Sequence, residues 1–261
     1  MMKNKKKIKK YIKPFFIWSG VYSTFKESQN FVEGSHFKGK KYINNAKKEY
    51  LKIKNYSLKN DLLFSQSTER YKALSYLCLN QSNNKKINIL DFGGGFGTGL
   101  LLLNNTLPKN ILKKINYHIV DNKELIKTAK KINNKIHFQD KLIIKKYNII
   151  ASSSCLQYIE DWKKLLNDFA NLRPNYIYLS DLFIGNIDSF VTLQNYYNSK
   201  IPHWFINKNI LINHLKTISY NLECKEICNV KRLDSKIINM SNFHYKKRIK
   251  HTWNLLFKLN N

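Results

Sequence analysis

The residues whose types and spacing most clearly indicate a function are an acid and three alternating glycines. An apolar run at 87–90 ends at Asp91, and Gly93, Gly95 and Gly97 follow before an apolar pattern resumes. This order predicts a strand, a tight turn and a helix. Glycine accepts positive φ and lets a ligand approach the backbone, while the helix that follows offers unpaired N–H groups to a negative group. The stretch therefore predicts a ligand-binding turn, the alternative being a purely structural strand-to-helix turn.

The glycine spacing indicates which ligand the turn would bind. A dinucleotide fingerprint needs glycines at i, i+2 and i+5; the third position falls on Thr98 or on Leu100, so this fingerprint is absent. The observed pattern, acid-x-Gly-x-Gly-x-Gly, resembles motif I of class I S-adenosylmethionine (SAM)-dependent methyltransferases. That resemblance implies that the glycines lie against the methionine portion of the cofactor and that Asp91 faces its ammonium group.

Two further acids follow predicted strands beyond the turn. The segment 117–121 reads as a strand that ends at Asp121, which is placed to bind ribose hydroxyls; the alternative is that Asp121 caps the next helix. A shorter strand at 136–139 ends at Asp140, which is placed to reach an adenine amino group.

The strand ends point to a single site in a Rossmann-like fold. Segments 147–154 and 176–180 predict two more strands, and helices are predicted between the strands. This alternation indicates a doubly wound α/β sheet of about seven strands, mostly parallel, whose ligands gather at the carboxyl ends of the strands. The residues at such ends are Asp91, Asp121, Asp140, Ser153 and Asp181.

The flanking segments predict a helical extension and a closing hairpin. Helical spacing occurs at 44–58 and 61–79, where helices would cover the cofactor pocket or simply pack on the sheet. After a helix at 207–218, segments 220–230 and 237–245 read as an antiparallel hairpin at the sheet edge. We therefore predict two parts of one compact unit: an N-terminal basic and aromatic segment with a helical cap at 1–82, and a methyltransferase-like domain at 83–261.

The formal net charge is +29, which is high for a globular chain. Lysine and arginine attract nucleic acid without sequence preference. Only Arg70, Arg173, Arg232 and Arg248 are arginines, the type suited to bidentate phosphate and base contacts. The lysines are spread along the chain beside many Asn and Ile. We interpret the charge mainly as drift from a skewed base composition, with nucleic acid or another acidic partner as the alternative.

The cysteines and the N-terminus indicate a cytoplasmic protein. Four scattered cysteines are typical of a reducing compartment, and no His or Cys pair at zinc spacing joins Cys224 and Cys228, so no metal is expected. Lysines at 3–10 precede a short aromatic run broken by Lys13 and Pro14, which does not fit a signal peptide. No stretch reaches the roughly 18 apolar residues of a membrane span. Weak peripheral contact with an anionic membrane is the minor alternative.

Five short stretches of the sequence together resemble one family of methyltransferases. They are 18–22 (WSGVY), 90–94 (LDFGG), 153–159 (SSCLQYI), 192–195 (TLQN) and 202–205 (PHWF). Over about 18–258 the chain is similar to methyltransferases of the LIC12133 type, a branch of the class I SAM-dependent fold. This resemblance implies SAM as cofactor and, because members accompany genes for surface polysaccharide assembly, a sugar or glycan precursor as acceptor. Where members carry Asp-Arg-Thr-Pro after the fifth strand, this chain has Ser-Asp-Leu-Phe at 180–183.

Methyl transfer to a hydroxyl needs orientation, desolvation and often a base. The first candidate for the base is His203, because imidazole titrates near neutral pH, followed by Asp181 and Tyr158. The expected function is O-methylation of a small molecule or glycan precursor. One alternative is a nucleic-acid methyltransferase, although the (Asn/Asp)-Pro-Pro-aromatic tetrad of base amino-group methylation is replaced by Ser-Ser-Cys-Leu at 153–156. Another is a ligand-binding protein of the same fold without catalysis.

Overall fold

The protein is an α/β structure built on two sheets. A computed structural model describes residues 16–57, 69–196, 198–232 and 235–260. The basic run at 3–10 and the first part of the helix predicted at 61–79 lie outside these residues. The described strands are β1 (Trp18–Tyr22), β2 (Ile87–Phe92), β3 (Ile115–Val120), β4 (His137–Gln139), β5 (Ile149–Ser153), β6 (Tyr176–Leu182), β7 (Ile184–Gly185), β8 (Phe190–Tyr196), β9 (Ser199–Asn207), β10 (Tyr220–Cys228) and β11 (Thr252–Leu259).

Helices connect most of the strands. They are α1 (Phe25–Ser28), α2 (Lys40–Ser57), α3 (Lys72–Asn80), α4 (Thr98–Thr106), α5 (Lys109–Leu112), α6 (Lys123–Ala129), α7 (Trp162–Asn171) and α8 (Lys208–Thr217). The helix predicted at 44–58 is confirmed as α2, which begins four residues earlier. None of the helices in the described ranges has both the length and the apolar character of a bilayer-spanning segment.

The larger sheet has seven strands in the order β10-β11-β6-β5-β2-β3-β4. The five strands from β6 to β4 are parallel, and β11 pairs antiparallel with both β6 and β10. The predicted Rossmann-like sheet, mostly parallel with an antiparallel C-terminal pair, is therefore confirmed.

The second strand of the predicted C-terminal hairpin was placed wrongly. Segment 237–245 does not pair with β10; β11, at Thr252–Leu259, does. Segment 237–245 alternates apolar residues, as a strand would, but Ile238, Met240 and Phe243 are instead buried against Trp18 and Phe190. β11 lies between two other strands of the sheet, which explains why its residues 255 and 257 are fully buried.

A second, four-stranded sheet was not predicted from the sequence. Its order is β1-β8-β9-β7; β8 is antiparallel to both β1 and β9, and β7 is parallel to β9. The register of β1 shifts between Ser19 and Tyr22, and Gly20 between them has a φ of +77°. These irregularities interrupt the period-two pattern by which a strand is recognised in a sequence.

The core lies on both faces of the larger sheet. Along β2, Ile87 and Ile89 join a cluster with α2, α3 and α4, whereas Leu90 joins a second cluster with α7 and α8. This alternation follows from the two-residue period of a strand. The N-terminal helices thus share a core with the sheet. The boundary predicted between residues 82 and 83 stays a prediction.

Helix α7 offers a test of local stability. Its N-cap is Asp161, whose Oδ1 accepts a hydrogen bond from the Lys164 N–H at 2.9 Å. We expect Asp161→Ala to lower the free energy of unfolding by about 0.5–2 kcal/mol, because this N–H loses its partner. Urea denaturation measures the change.

The same helix carries the control for this prediction. Asp168 lies near the carboxyl end of α7 and pairs with Lys164 on the surface. The helix dipole disfavours a negative charge at that end, so Asp168→Ala should leave the free energy of unfolding nearly unchanged. Equal losses in the two variants would contradict the capping role of Asp161.

Candidate functional site

The glycine turn connects β2 to α4, as predicted. Gly93, Gly95 and Gly97 all have positive φ, at +75°, +58° and +95°. A Cβ on Gly93 would lie 2.6 Å from the Cys155 Sγ, and one on Gly97 would lie 2.2 Å from the Ile136 Cδ1. A Cβ on Gly95 would meet no atom within 4 Å. Two glycines are thus needed for close approach within the protein, and Gly95 leaves open space for a ligand.

Asp91 is buried beneath this turn. Its Oδ2 accepts a hydrogen bond from the Tyr117 hydroxyl at 2.8 Å, while its Oδ1 has no hydrogen-bond partner among the described residues. Burial raises the pKa of Asp91 to about 7, although hydrogen bonds from Tyr117 and Tyr71 oppose the shift. Asp91 does not line either of the two cavities described below, and its predicted contact with an ammonium group stays a prediction.

Asp121 connects the end of β3 to the glycine turn. Its Oδ2 accepts a hydrogen bond from the Gly95 N–H at 3.0 Å, and its Oδ1 accepts one from the Asn122 N–H at 2.7 Å. Burial raises the pKa of Asp121, and these hydrogen bonds oppose the shift. The alternative that Asp121 caps the next helix is wrong, because the Asn122 side chain accepts from the Leu125 N–H instead. The ribose contact predicted for Asp121 stays a prediction.

Two cavities lie at the carboxyl ends of the parallel strands. The larger has a volume of about 850 Å³ and is lined by Asp121 and Asp140. The smaller, of about 230 Å³, is lined by Gly95 and Ser153. Both are lined by Phe37, Tyr42, Gly93, Ser154 and Tyr158, so they adjoin at the glycine turn. The structure thus brings six predicted residues to one place: Gly93, Gly95, Asp121, Asp140, Ser153 and Tyr158.

Asp140 and Ser153 differ in their surroundings. The Asp140 carboxylate is partly exposed and lies 3.3 Å from the Lys123 Nζ. The Ser153 hydroxyl is buried and lies 3.3 Å from the Ser180 hydroxyl on the neighbouring strand. Asp140 therefore remains accessible from the larger cavity, and Ser153 closes the floor of the smaller one.

Aromatic side chains form one wall of the cavities; Tyr158 and Tyr196 were expected at the site from the sequence, whereas Phe37 and Tyr42 were not. The Phe37 ring, on a short 3-10 turn, lies 5.1 Å from the Tyr42 ring, 4.8 Å from the Tyr158 ring and 6.0 Å from the Tyr196 ring, between centroids. Phe37 stands in a segment without periodicity, so no local pattern marked it. The wall is apolar and suited to a planar or ring-shaped ligand.

Asp181 is held between two arginines. It is fully buried, has a φ of +54° and pairs with the Arg70 Nε at 2.9 Å and with the Arg232 guanidinium. Its N–H donates to the Asn254 Oδ1 at 3.0 Å. Burial by itself would raise the pKa of Asp181, but the two arginines outweigh it and hold the pKa below its ordinary value. Asp181 does not line either cavity.

His203 is enclosed by aromatic rings. It is fully buried, and neither ring nitrogen has a hydrogen-bond partner among the described residues. Phe183 and Tyr158 contact it edge-on, with centroid distances of 4.5 and 5.3 Å. Burial, with the nearby Arg232 charge, lowers the pKa of His203 to about 3. The imidazole is therefore neutral at physiological pH, lies behind Tyr158 and does not line either cavity.

Tyr158 is the one predicted catalytic residue that lines the cavities. Its hydroxyl donates to the Gln194 Oε1 at 2.6 Å. Burial raises the pKa of Tyr158 well above its ordinary value, so the phenol stays protonated. The catalytic roles predicted for His203, Asp181 and Tyr158 stay predictions.

The pKa of Asp91 predicts a pH dependence of stability. An aspartate in the unfolded chain has a pKa of about 3.9, whereas that of Asp91 in the folded protein is about 7. Between these values the folded state binds more protons, so this group's contribution to stability is lost as pH rises. Asn at this position does not titrate. We therefore expect the free energy of unfolding of Asp91→Asn, relative to that of the native protein, to increase as pH rises from 4 to 8. Urea denaturation at each pH, without added nucleoside, measures the free energy of unfolding. Curves of this free energy against pH that run parallel for the variant and the native protein would contradict the prediction.

Solved structures with the same fold include SAM-dependent methyltransferases. A protein from Listeria monocytogenes described as such is 10% identical, with a TM-score of 0.50 over 73% of this chain and 99% of that chain. One from Galdieria sulphuraria, described as a sarcosine dimethylglycine methyltransferase, is 13% identical, with a TM-score of 0.50 over 72% of this chain and 84% of that chain. No protein-family model and no curated protein sequence matches. At these identities the likeness shows the fold: the chain has the Rossmann-like fold found in SAM-dependent methyltransferases.

Proposed function

We propose that this protein is a SAM-dependent methyltransferase that methylates a hydroxyl group. The observation that carries the proposal is the meeting of the glycine turn, Asp121 and Asp140 around two adjoining cavities at the carboxyl ends of the parallel strands. In an open α/β sheet this is where ligands bind. The shared fold supports the proposal.

The residues present fit SAM. The larger cavity would hold the nucleoside, with Asp121 accepting hydrogen bonds from the ribose hydroxyls and Asp140 from the adenine amino group. The methionine portion would lie against Gly95, where no side chain competes for the space. When bound, SAM supplies an activated methyl group on a sulfonium centre.

Tyr158 supports an oxygen acceptor. Its hydroxyl hydrogen is engaged by Gln194, so the lone pairs of its oxygen remain to accept a hydrogen bond from the acceptor. A hydroxyl that donates to Tyr158 would keep its own lone pairs for attack on the methyl group, and the proton that it loses on methylation would pass to solvent, because the Tyr158 phenol stays protonated. Tyr158 would thus orient the acceptor at the junction of the cavities without acting as a base.

His203 and Asp181 would act through their neighbours. The His203 ring packs against the Tyr158 ring and limits its orientation. Asp181 holds Arg70, which lines the smaller cavity. We propose His203 as a positioning residue for Tyr158 on the acceptor side, and Asp181 as a positioning residue for Arg70.

The acceptor that we propose is a small molecule, in particular a sugar or glycan precursor for surface polysaccharide. The resemblance to the LIC12133-type family supports this class. The aromatic wall of Phe37, Tyr42 and Tyr196 is also suited to packing on the apolar face of a sugar ring. Incubation with labelled SAM and a panel of nucleotide sugars and glycan precursors tests the proposal. If the protein binds SAM tightly but no compound in the panel becomes labelled, a ligand-binding protein without catalysis is favoured.

Gly95 gives the first test of the cofactor site. We expect Gly95→Arg to abolish binding of S-adenosylhomocysteine in calorimetry, because the new side chain would fill the open space at the turn. The matched control is Gly95→Ala, which adds one methyl group there and should retain binding. An alanine at the φ of +58° found for Gly95 should lower the free energy of unfolding by about 1–2 kcal/mol. Undiminished binding by Gly95→Arg would remove the turn from the site.

Tyr158 gives the test of the acceptor side. We expect Tyr158→Phe to lower turnover on the order of tenfold to a hundredfold, because the acceptor hydroxyl loses its orienting partner. Affinity for S-adenosylhomocysteine should change little. The control is Tyr176→Phe, which removes a hydroxyl at the amino end of β6, away from both cavities. Full activity of Tyr158→Phe would show that this hydroxyl does not contact the acceptor.

A further inference from the structure

An arginine, Arg70, lines the smaller cavity beside the glycine turn. Among the described residues that line this cavity, Arg70 is the one cation and Glu49 the one acid. The Arg70 Nε donates to the Asp181 Oδ2, and no described residue accepts a hydrogen bond from its two terminal nitrogens. The two terminal nitrogens, which carry four N–H donors, therefore remain available to a ligand.

Asp181 holds the Arg70 guanidinium in place. The carboxylate is fully buried and is itself fixed by Arg232 and by the hydrogen bond from its N–H to Asn254. An arginine held through its Nε presents its remaining N–H groups in one plane, which matches a carboxylate. The Arg70 side chain is 28% exposed, so it is neither free in solvent nor sealed in the core.

Arg232 is a natural comparison for Arg70. It pairs with the other oxygen of the same carboxylate, but it stacks on the Phe183 ring at 4.7 Å and does not line either cavity. Two arginines thus share one acid, and only one of them faces the space beside the glycine turn.

We infer that Arg70 binds the α-carboxylate of the cofactor's methionine portion; this inference rests on the proposed function. Asp121 and Asp140, the residues proposed to bind the nucleoside, line the larger cavity. A cofactor that crosses the glycine turn from there places its amino-acid end in the smaller cavity. An amino-acid end is a zwitterion. A cavity lined by one cation and one acid complements it, with Arg70 on the carboxylate side.

The test compares two ligands that share the nucleoside. S-adenosylhomocysteine carries the amino-acid group, and 5′-methylthioadenosine lacks it. By calorimetry we expect Arg70→Gln to weaken S-adenosylhomocysteine on the order of tenfold to a hundredfold, as for a lost charge-assisted hydrogen bond, and to leave 5′-methylthioadenosine within about twofold. Arg70→Lys should fall between the native protein and Arg70→Gln.

Arg173→Gln is the matched control, because Arg173 lines neither cavity and takes no part in holding Asp181. Its affinity for S-adenosylhomocysteine should stay near that of the native protein. The inference is overturned if Arg70→Gln weakens both ligands equally, or if it weakens neither and lowers turnover alone, as for a contact with an anionic acceptor. Failure of the native protein to bind either nucleoside would instead overturn the proposed function, and this inference with it.

Discussion

The hydrogen bond from the Gly95 N–H to the Asp121 carboxylate is the contact on which the arrangement of the site depends. It joins the end of β3 to the turn after β2, and the parallel register of these strands brings the two together. Because Asp121 also accepts from Asn122, its carboxylate is fixed before any ligand arrives. The turn can then remain free of side chains while keeping one shape. Preorganisation of this kind reduces the conformational cost of binding.

A second fixed charge supports the other side of the site. Asp181 adopts a backbone conformation that is unfavourable for a non-glycine residue, and Ser154 does so at the end of the adjacent strand, at φ values of +54° and +52°. Such conformations persist where the surroundings over-determine them. At Asp181 the surroundings are two arginines and Asn254, which come from three different parts of the chain. The outcome is one rigid cation beside the glycine turn.

The features that the sequence predicted have local signatures. The glycine turn, the acids at the strand ends and helix α2 are each encoded by residues close together in the chain, and the structure has them where they were expected. The second sheet and the pairing of β11 depend on partners far along the chain, so periodicity alone did not reveal them. The same holds for Arg70, which lies 111 residues from Asp181. For His203, residue type suggested chemistry, whereas its position among aromatic rings is a tertiary property.

The pairing of β1 with β8 has a consequence for how the protein is made. Residues 18–22 pair with residues 191–194, so β1 can form its ladder only after the long segment between them has been made. The larger sheet is likewise completed by β11, which inserts between β6 and β10 after both have been synthesised. Non-local pairing of this kind slows folding and prolongs exposure of unpaired strand edges. In a growing chain, the edges of β1 and β6 therefore stay without these partners until β8 and β11 have been made.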